Sequence, residues 1–248
     1  MVRIGISGAC GKMGIKIATI ALKDSANVKV SAAFEWRGSP ILGKDLGELV
    51  GVPNTGVVIS SDFEKGLKGI DCLIEFTLPD PTLEHLPLCV KAGVPLVIGT
   101  TAIDAEGEKA IKEAAKKIPI VFSPNMSMGV NTLFMIVREA ARVLGRDFTI
   151  KMDETHHVYK KDAPSGTAKM IARVIKEASG VDVPVEVFRE GEVVGNHGII
   201  FETPYETLEI RHDAKSRDVF AAGAVKAAIF LAGKKPGFYT MADVLGIK

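Results

Sequence analysis

Cysteine is scarce in this 248-residue sequence, and its spacing argues against the usual cysteine-based scaffolds. The three cysteines, Cys10, Cys72 and Cys89, are an odd number and form no C-x-x-C pair. Neither a disulfide framework nor a cysteine-based zinc site is therefore expected. The opening Met1-Val2-Arg3 leads directly into a strand-like run, without the pattern of a signal peptide. Both observations favour a cytoplasmic protein.

Net charge and long apolar runs are also scarce. The formal net charge is +1, which disfavours nucleic acid as the main partner because nucleic-acid-binding surfaces are strongly basic. The longest apolar run near the C-terminus, 219–232, is interrupted by Lys226 and is too short to span a bilayer. Hydrophobic residues make up 47% of the chain, which is ordinary for one large or two modest globular domains. We expect no nucleic-acid or membrane partner.

The chain begins with the pattern of a strand, a glycine-rich turn and a helix. Residues 4–7 are a short apolar run, Gly8, Gly11 and Gly14 follow it, and apolar residues then recur at helical spacing over 15–22. Glycines let the backbone approach a pyrophosphate, and the first N–H groups of the helix point at its charge. The pattern predicts a dinucleotide-binding turn, although a tight strand–helix turn also needs glycines for steric reasons alone.

An acidic residue follows the next predicted strand, 28–34. Glu35 lies roughly 20 residues beyond the glycines, where an acid can bind the hydroxyls of an adenosine ribose. Trp36 could stack on the adenine, and Arg37 could pair with a 2′-phosphate because guanidinium matches phosphate geometry. The alternative is a surface loop with an exposed acid and base.

Further apolar runs alternate with helical segments up to residue 126. Continuous apolar runs are typical of buried parallel strands, and ligands bind beyond the carboxyl ends of such strands. Thr77, Gly99-Thr100-Thr101 and Ser123-Pro124-Asn125-Met126 follow predicted strand ends. Gly99 and the two threonines suit a nicotinamide ribose or carboxamide, or they cap the next helix. Strands are predicted at 57–59, 71–76, 94–98 and 118–122, and helices at 81–92 and 105–117.

The pattern changes after a predicted helix at 129–144. Apolar and polar residues alternate over 148–153, and later strand-like runs are joined by short turns. These features predict a mixed or largely antiparallel sheet with one face free for other subunits. We therefore predict an α/β Rossmann dinucleotide-binding domain, 1–127 with 217–248, and a mixed α+β sheet domain, 128–216, for substrate binding and oligomerisation. The later strands are predicted at 183–188, 198–202 and 207–212.

The segment 154–168, ETHHVYKKDAPSGTA, gathers acid, base and anion-binding groups. His156 and His157 end the alternating strand, where neighbours point to opposite faces. Histidine exchanges protons near neutral pH, and Lys160 can meet a carboxylate. Ser165 is a predicted N-cap after Pro164, which places the first N–H groups of a helix beside an anion. A small carboxylate held by Lys160, Ser165, Gly166 and Thr167 is therefore expected, with a histidine or lysine handling the proton.

A structural role and a metal site are the alternatives for this segment. In the structural role, both histidines at the strand end have hydrogen-bond partners within the protein, and a turn and a capped helix follow. Such an arrangement needs no ligand. Adjacent strand residues rarely converge on one ion, and no third ligand is obvious in the sequence. No metal site is expected.

The segment resembles the E-x-H-H-x-x-K-x-D-A-P-S-G-T-A motif of the 4-hydroxy-tetrahydrodipicolinate reductases, at every fixed position. The resemblance extends over nearly the whole chain and includes the glycine turn. It implies a homotetramer that uses reduced NAD or NADP to reduce a cyclic, imine-type dicarboxylate, with loss of water overall. It further implies that His156 is a proton donor or acceptor, Lys160 the proton donor, and His157, Gly166 and Thr167 substrate contacts. The implied cofactor contacts are Gly8, Ala9, Cys10, Gly11, Lys12, Met13, Glu35, Gly99, Thr100, Thr101, Ser123, Pro124, Asn125 and Met126.

Two positions depart from the pattern of many family members. Trp36 stands where an arginine often follows the ribose-binding acid, with Arg37 one residue later, and Leu78 stands where some members have another arginine. These departures favour NADH, or dual use of NADH and NADPH through Arg37. The alternatives to this family are another Rossmann amino-acid-pathway dehydrogenase and a non-catalytic NAD(P)-binding sensor.

Overall fold

A computed structural model of the protein describes residues 1–247, which divide into two compact units. Unit 1 comprises Met1–Met126 and Phe220–Gly246, and unit 2 comprises Ser127–Val219 with Ile247. None of the helices within residues 1–247 has both the length and the apolar character needed to cross a membrane.

The chain enters unit 1 through alternating strands and helices. In chain order they are β1 (Val2–Ser7), α1 (Lys12–Lys23), β2 (Val28–Phe34), α2 (Leu46–Val50), β3 (Ile59–Ser60), α3 (Phe63–Gly66), a 3-10 turn (Leu67–Gly69), β4 (Cys72–Glu75), α4 (Pro79–Ala92), β5 (Leu96–Ile98), α5 (Ala105–Ala115) and β6 (Pro119–Phe122).

Unit 2 follows, and the chain then returns to unit 1. The elements of unit 2 are α6 (Met128–Leu144), β7 (Thr149–His156), α7 (Gly166–Ser179), β8 (Val185–Arg189), β9 (Asn196–Glu202) and β10 (Thr207–Asp213). The last elements are α8 (Asp218–Leu231), β11 (Gly237–Tyr239) and α9 (Met241–Leu245). The C-terminal strand β11 pairs in parallel with β6 at the edge of the sheet of unit 1.

Unit 1 is built on a parallel sheet of seven strands in the order β11-β6-β5-β4-β1-β2-β3. All residues of β4 and β5 are buried, which explains their largely apolar sequences; the exception is the buried Glu75 at the end of β4. The Rossmann-type fold predicted for this part is confirmed. The strand predicted at 57–59 lies at Ile59–Ser60 in the structure, where these two residues pair with β2. Val58 is exposed and forms only an isolated bridge with Asp45.

The glycine turn between β1 and α1 depends on close backbone contacts. Gly8 has a φ of 74°, in the left-handed region that favours glycine. A Cβ on Gly14 would lie 2.1 Å from the carbonyl oxygen of Gly8, so only glycine lets the helix approach the turn. Gly11 is the N-cap of α1 and supplies no side-chain cap to the first amides of the helix.

Unit 2 is built on a mixed sheet of four strands in the order β10-β9-β7-β8. The β7–β9 and β9–β10 pairs are antiparallel, whereas β7 and β8 are parallel and are connected through α7. The mixed sheet predicted from the alternating sequence is confirmed. Alternate residues of β7, from Ile150 to His156, are buried on one face, where α6 and α7 close the hydrophobic core.

Candidate active site

Strand register brings four polar side chains of unit 2 to one region of the sheet. Glu154 on β7 is the direct partner of His197 on β9, and His156 is the partner of Arg189 on β8. Because alternate residues of a strand share a face, Glu154 and His156 project to the same side as the core residues Ile150 and Met152. The sequence alone predicted a role for His156 but did not indicate His197 or Arg189.

The carboxylate of Glu154 lies at the centre of this group and has no solvent exposure. Its Oε2 lies 3.5 Å from Nδ1 of His156 and 3.7 Å from Nε2 of His197. Its Oε1 accepts a hydrogen bond of 3.0 Å from the backbone N–H of Ser165 and lies 3.7 Å from Nη1 of Arg189. A single buried carboxylate thus joins both histidines, an arginine and the start of α7.

The start of α7 has the capping geometry that the sequence predicts. Ser165 is the N-cap, and its Oγ accepts a hydrogen bond of 3.1 Å from the N–H of Ala168. A Cβ built on Gly166 would meet no described atom within 4 Å, so the space beside the backbone of Gly166 is open. The Ala163–Pro164 peptide bond that precedes the cap is cis. The helix therefore offers an accessible, positively polarised N-terminus.

Lys160 lies in the segment 157–164 that joins β7 to α7, which we term the Lys160 loop. Its Nζ lies 2.8 Å from Oδ1 of Asp162, and its side chain is half-buried. The hydrogen bond from Lys160 lowers the pKa of the Asp162 carboxyl below its usual value. Lys161, its neighbour, is exposed. Of the two lysines, Lys160 is thus the one that has a defined position.

Burial keeps the two clustered histidines neutral. It is the main cause of the lowered pKa of His156, which the charges of Lys160 and Arg189 also lower and the Glu154 carboxylate raises. Burial, followed by the charge of His156, lowers the pKa of His197 to about 4. His157 is half-buried and lies beyond the end of β7, so the adjacent histidines have different surroundings.

Glu154, His156 and His197 together form the acid–histidine cluster. One potential ligand atom from each lies within 4.8 Å of the others, a convergence that the sequence did not reveal. The cluster already has a cationic partner in Arg189, and the positive charges of Lys160 and Arg189 affect His156. A metal ion at this cluster would be repelled by the positive charges of Lys160 and Arg189, which disfavours a metal site.

The predicted cofactor residues around the glycine turn contact one another in unit 1. Oε2 of Glu35 accepts hydrogen bonds from the backbone N–H and the Sγ of Cys10, at 3.0 and 2.8 Å. Burial of the thiol and its bond to Glu35 raise the pKa of Cys10 to about 11, so the thiol remains protonated. The acid predicted to bind the ribose therefore also holds the turn predicted to bind the pyrophosphate.

A cavity of about 880 Å³ lies beside this turn within unit 1. Gly8, Glu35, Trp36 and Arg37 line it, together with His85. Nδ1 of His85 lies 2.9 Å from the buried carboxylate of Glu75, a pair that no sequence motif indicated. The cavity is thus lined both by the glycine turn and by the residues expected at the adenosine end of a dinucleotide.

The remaining predicted cofactor positions differ in their exposure. A Cβ on Gly99 would lie 2.0 Å from the ring of Phe76, so this position requires glycine. The hydroxyl of Thr100 is buried and lies 2.8 Å from that of Thr82, whereas Thr101 is exposed. Ser123 donates a hydrogen bond to the carbonyl of Asn125 within the turn after β6, and Met126 is buried. Thr101, with the exposed Pro124 and the half-buried Asn125, is therefore more accessible to a ligand than Thr100.

Comparison with known proteins gives the same family for both parts of the chain. Residues 2–126 match the family model described as dihydrodipicolinate reductase, N-terminus, and residues 129–245 match its C-terminal counterpart. The 4-hydroxy-tetrahydrodipicolinate reductase of Dechloromonas aromatica is 46% identical over 266 residues, covering 99% of this chain and 98% of the relative. The enzyme of the same name from Anaeromyxobacter dehalogenans is 41% identical and covers 100% and 99% of the two chains.

Solved structures give the same fold. A dipicolinate-bound dihydrodipicolinate reductase from Paenisporosarcina superposes with a TM-score of 0.82 at 24% identity, covering 98% of both chains. An amine dehydrogenase from Mycobacterium smegmatis superposes with a TM-score of 0.65 at 14% identity and covers 97% of this chain and 95% of its own. At these identities the structures show a shared fold.

The buried neutral His197 makes the stability of the protein depend on pH. Between pH 6.5 and about 4, His197 binds a proton in the unfolded chain but not in the folded protein, so stability falls as pH falls. Using about 6.5 for the unfolded chain, this group contributes a loss of about 2 kcal/mol between pH 7 and pH 4.5. The free energy of unfolding is measured by urea denaturation at both pH values. Its decrease from pH 7 to pH 4.5 is expected to be smaller in His197→Gln than in the wild type, by about 2 kcal/mol. The same pH dependence in both proteins would contradict this assignment.

Proposed function

The chain belongs to the dihydrodipicolinate reductase family, and on that premise we propose how its own residues carry out the reaction. The activity is the NAD(P)H-dependent reduction of 4-hydroxy-tetrahydrodipicolinate to tetrahydrodipicolinate, in lysine and diaminopimelate biosynthesis. The substrate gains one hydride and one proton and loses one water. The chain must therefore hold a dinucleotide, bind a cyclic dicarboxylate and supply a proton.

The residues around the glycine turn fit a dinucleotide. The reduced nicotinamide supplies the hydride when it is bound. Gly8, Ala9, Cys10, Gly11, Lys12 and Met13 would lie along the pyrophosphate, since Gly14 lets the helix approach closely and the first turn of α1 has no side-chain cap. Glu35 would accept hydrogen bonds from the adenosine ribose. Gly99, Thr101 and the turn Ser123–Met126 would contact the nicotinamide end, with Thr100 supporting them from within.

The start of α7 would bind one substrate carboxylate. The N–H groups of Gly166 and Thr167 belong to the first turn of the helix, where negative charge is stabilised. Ser165 fixes this turn, and the absence of a side chain at Gly166 leaves room for the ligand. The observation that carries the proposal is the hydrogen bond from Ser165 to Glu154, because it connects this anion site to the histidines.

Lys160 and His156 would handle the proton. The Lys160 ammonium is the proposed proton donor to the reduced ring, and the carboxylate of Asp162 lies 2.8 Å from it. Burial favours the neutral form of His156. A neutral imidazole can accept or donate a proton during the reduction of the substrate. His157 would contact the substrate from the side opposite to the cluster.

Cofactor preference is proposed to rest on Trp36 and Arg37. Both line the cavity in unit 1, where acidic Glu35, Asp62 and Glu64 also lie. Arg37 is a basic group suited to a 2′-phosphate, but the neighbouring acidic side chains would repel the negatively charged phosphate. We therefore propose that the enzyme uses NADH, or both cofactors through Arg37.

Unit 1 is proposed to be the dinucleotide-binding domain, and unit 2 the domain for substrate binding and for assembly into a homotetramer. Phe188, half exposed, pairs with Thr155, which projects away from the core, so both lie on the sheet face opposite the helices. Exposed apolar groups on an uncovered sheet face are typical of subunit contacts. A cytoplasmic location is proposed from the three free thiols.

Lys160→Ala is expected to lower turnover by a factor of 10² or more, because general acid catalysis contributes on the order of 10²–10⁴. The substrate is generated by a synthase that condenses pyruvate with aspartate semialdehyde, and NADH and NADPH loss is followed by absorbance. The matched control is Lys161→Ala, which removes the exposed neighbouring charge and should retain wild-type turnover. Wild-type turnover in Lys160→Ala would refute its assignment as the proton donor, and an inactive wild type would refute the function itself.

Arg37→Ala is expected to raise the KM for NADPH by about tenfold and to change the KM for NADH little, because only NADPH carries the 2′-phosphate. Lys65→Ala removes another exposed positive charge from unit 1, outside the cavity lining, and serves as the control. Equal changes in KM for the two cofactors would refute the proposed phosphate contact.

A further inference from the structure

Arg189 makes contacts to the site that the sequence motif does not explain. It lies at the end of β8, 29 residues beyond Lys160, and its guanidinium turns toward the Lys160 loop. Nε donates to the carbonyl of Lys160 at 3.3 Å, and Nη2 donates to the carbonyl of Asp162 at 2.6 Å. One side chain thus holds the backbone of the proposed proton donor and that of its ion-pair partner.

The same guanidinium connects the Lys160 loop to the acid–histidine cluster. Its Nη1 lies 3.7 Å from Oε1 of Glu154, the oxygen that accepts the hydrogen bond from the N–H of Ser165. Arg189 is mostly buried and Glu154 is completely buried, so solvent weakens their attraction little. Lys160, His156 and the start of α7 are therefore connected through two side chains.

We propose that Arg189 and Glu154 are positioning residues, which fix the Lys160 loop and the start of α7 in one arrangement. This inference rests on the proposed function, because that function makes Lys160 the proton donor and the start of α7 the carboxylate site. Neither positioning residue is assigned a contact with the substrate: Arg189 acts through the carbonyls of Lys160 and Asp162, and Glu154 acts through the N–H of Ser165. The proton donor and the carboxylate site thereby keep a constant separation.

The contacts of Arg189 require the shape of an arginine side chain as well as its positive charge. Arg189 directs separate N–H groups to the carbonyls of Phe188, Lys160 and Asp162 while it faces Glu154. A lysine at this position would keep the charge but has a single ammonium on a flexible stem and cannot reproduce this planar set of donors. Misplacement of a catalytic group by about 1 Å can cost a factor of 10² in rate.

The test compares Arg189→Lys and Arg189→Ala with Arg142→Ala as the control. Arg142 is an exposed arginine on α6 of the same unit, and its ion pair at 2.8 Å is with Glu139, which is not a site residue. For each variant, kcat and the KM for substrate are measured in the coupled assay. NADH affinity by fluorescence and the melting temperature report on unit 1 and on overall folding.

Arg189→Lys is expected to lower kcat by a factor of about 10 to 10², with NADH affinity and melting temperature close to those of the wild type. Arg189→Ala is expected to lose at least as much, and Arg142→Ala to stay within about twofold of wild-type kcat. If Arg189→Ala fails to fold, Arg189→Lys alone decides the result, because it preserves the charge beside Glu154.

Wild-type kcat in Arg189→Lys, or an equal loss in Arg142→Ala, would overturn the positioning role. Wild type and Lys160→Ala are measured in the same series, which separates this inference from the proposed function. An active wild type with an impaired Lys160→Ala and an unaffected Arg189→Lys would refute only the positioning role. An inactive wild type, or a fully active Lys160→Ala, would refute the function or the proton donor on which it rests.

Discussion

A carboxylate without solvent exposure lies where β7, β8, β9 and α7 of unit 2 meet. Desolvating such a charge costs several kcal/mol, and the fold offsets this cost only through the partners it places around Glu154. These partners are the guanidinium of Arg189 and the N–H of Ser165, whereas the two neutral histidines lie 3.5 and 3.7 Å from the other carboxylate oxygen. Removing one member of a buried ion pair typically costs about 3–5 kcal/mol, so the partners and the site geometry are fixed together.

Sequence patterns predicted those parts of the site that are close along the chain. The alternating residues before His156 predicted the strand, and Pro164 with Ser165 predicted the start of α7. His197 and Arg189 could not be predicted in the same way, because they reach Glu154 and His156 through strand register. Register depends on how distant segments pack, which local periodicity does not specify. The parallel crossover through α7 decides which residue of β8 lies beside His156.

At the cofactor region too, sequence patterns predicted only the features that depend on residues close together along the chain. Gly8, Gly11 and Gly14 predicted the turn because the steric need for glycine is local. The second role of Glu35, holding Cys10, and the hydrogen bond between Thr100 and Thr82 of α4 depend on neighbours that are distant along the chain. The buried pair of Glu75 and His85 beside the cavity had no sequence pattern of its own. Local motifs thus located the cofactor region, whereas tertiary contacts determine which of its side chains remain accessible.

If the N-terminus of α7 is the carboxylate site of a reductase, a dicarboxylate must contact its first amides. The most direct test records the backbone amide resonances of ¹⁵N-labelled protein during titration with dipicolinate, an aromatic dicarboxylate. We expect saturable shifts of the Gly166 and Thr167 amides, with Gly180 at the opposite end of the same helix unchanged. Dipicolinate binding that leaves Gly166 and Thr167 unchanged, or no binding, would contradict this role of α7.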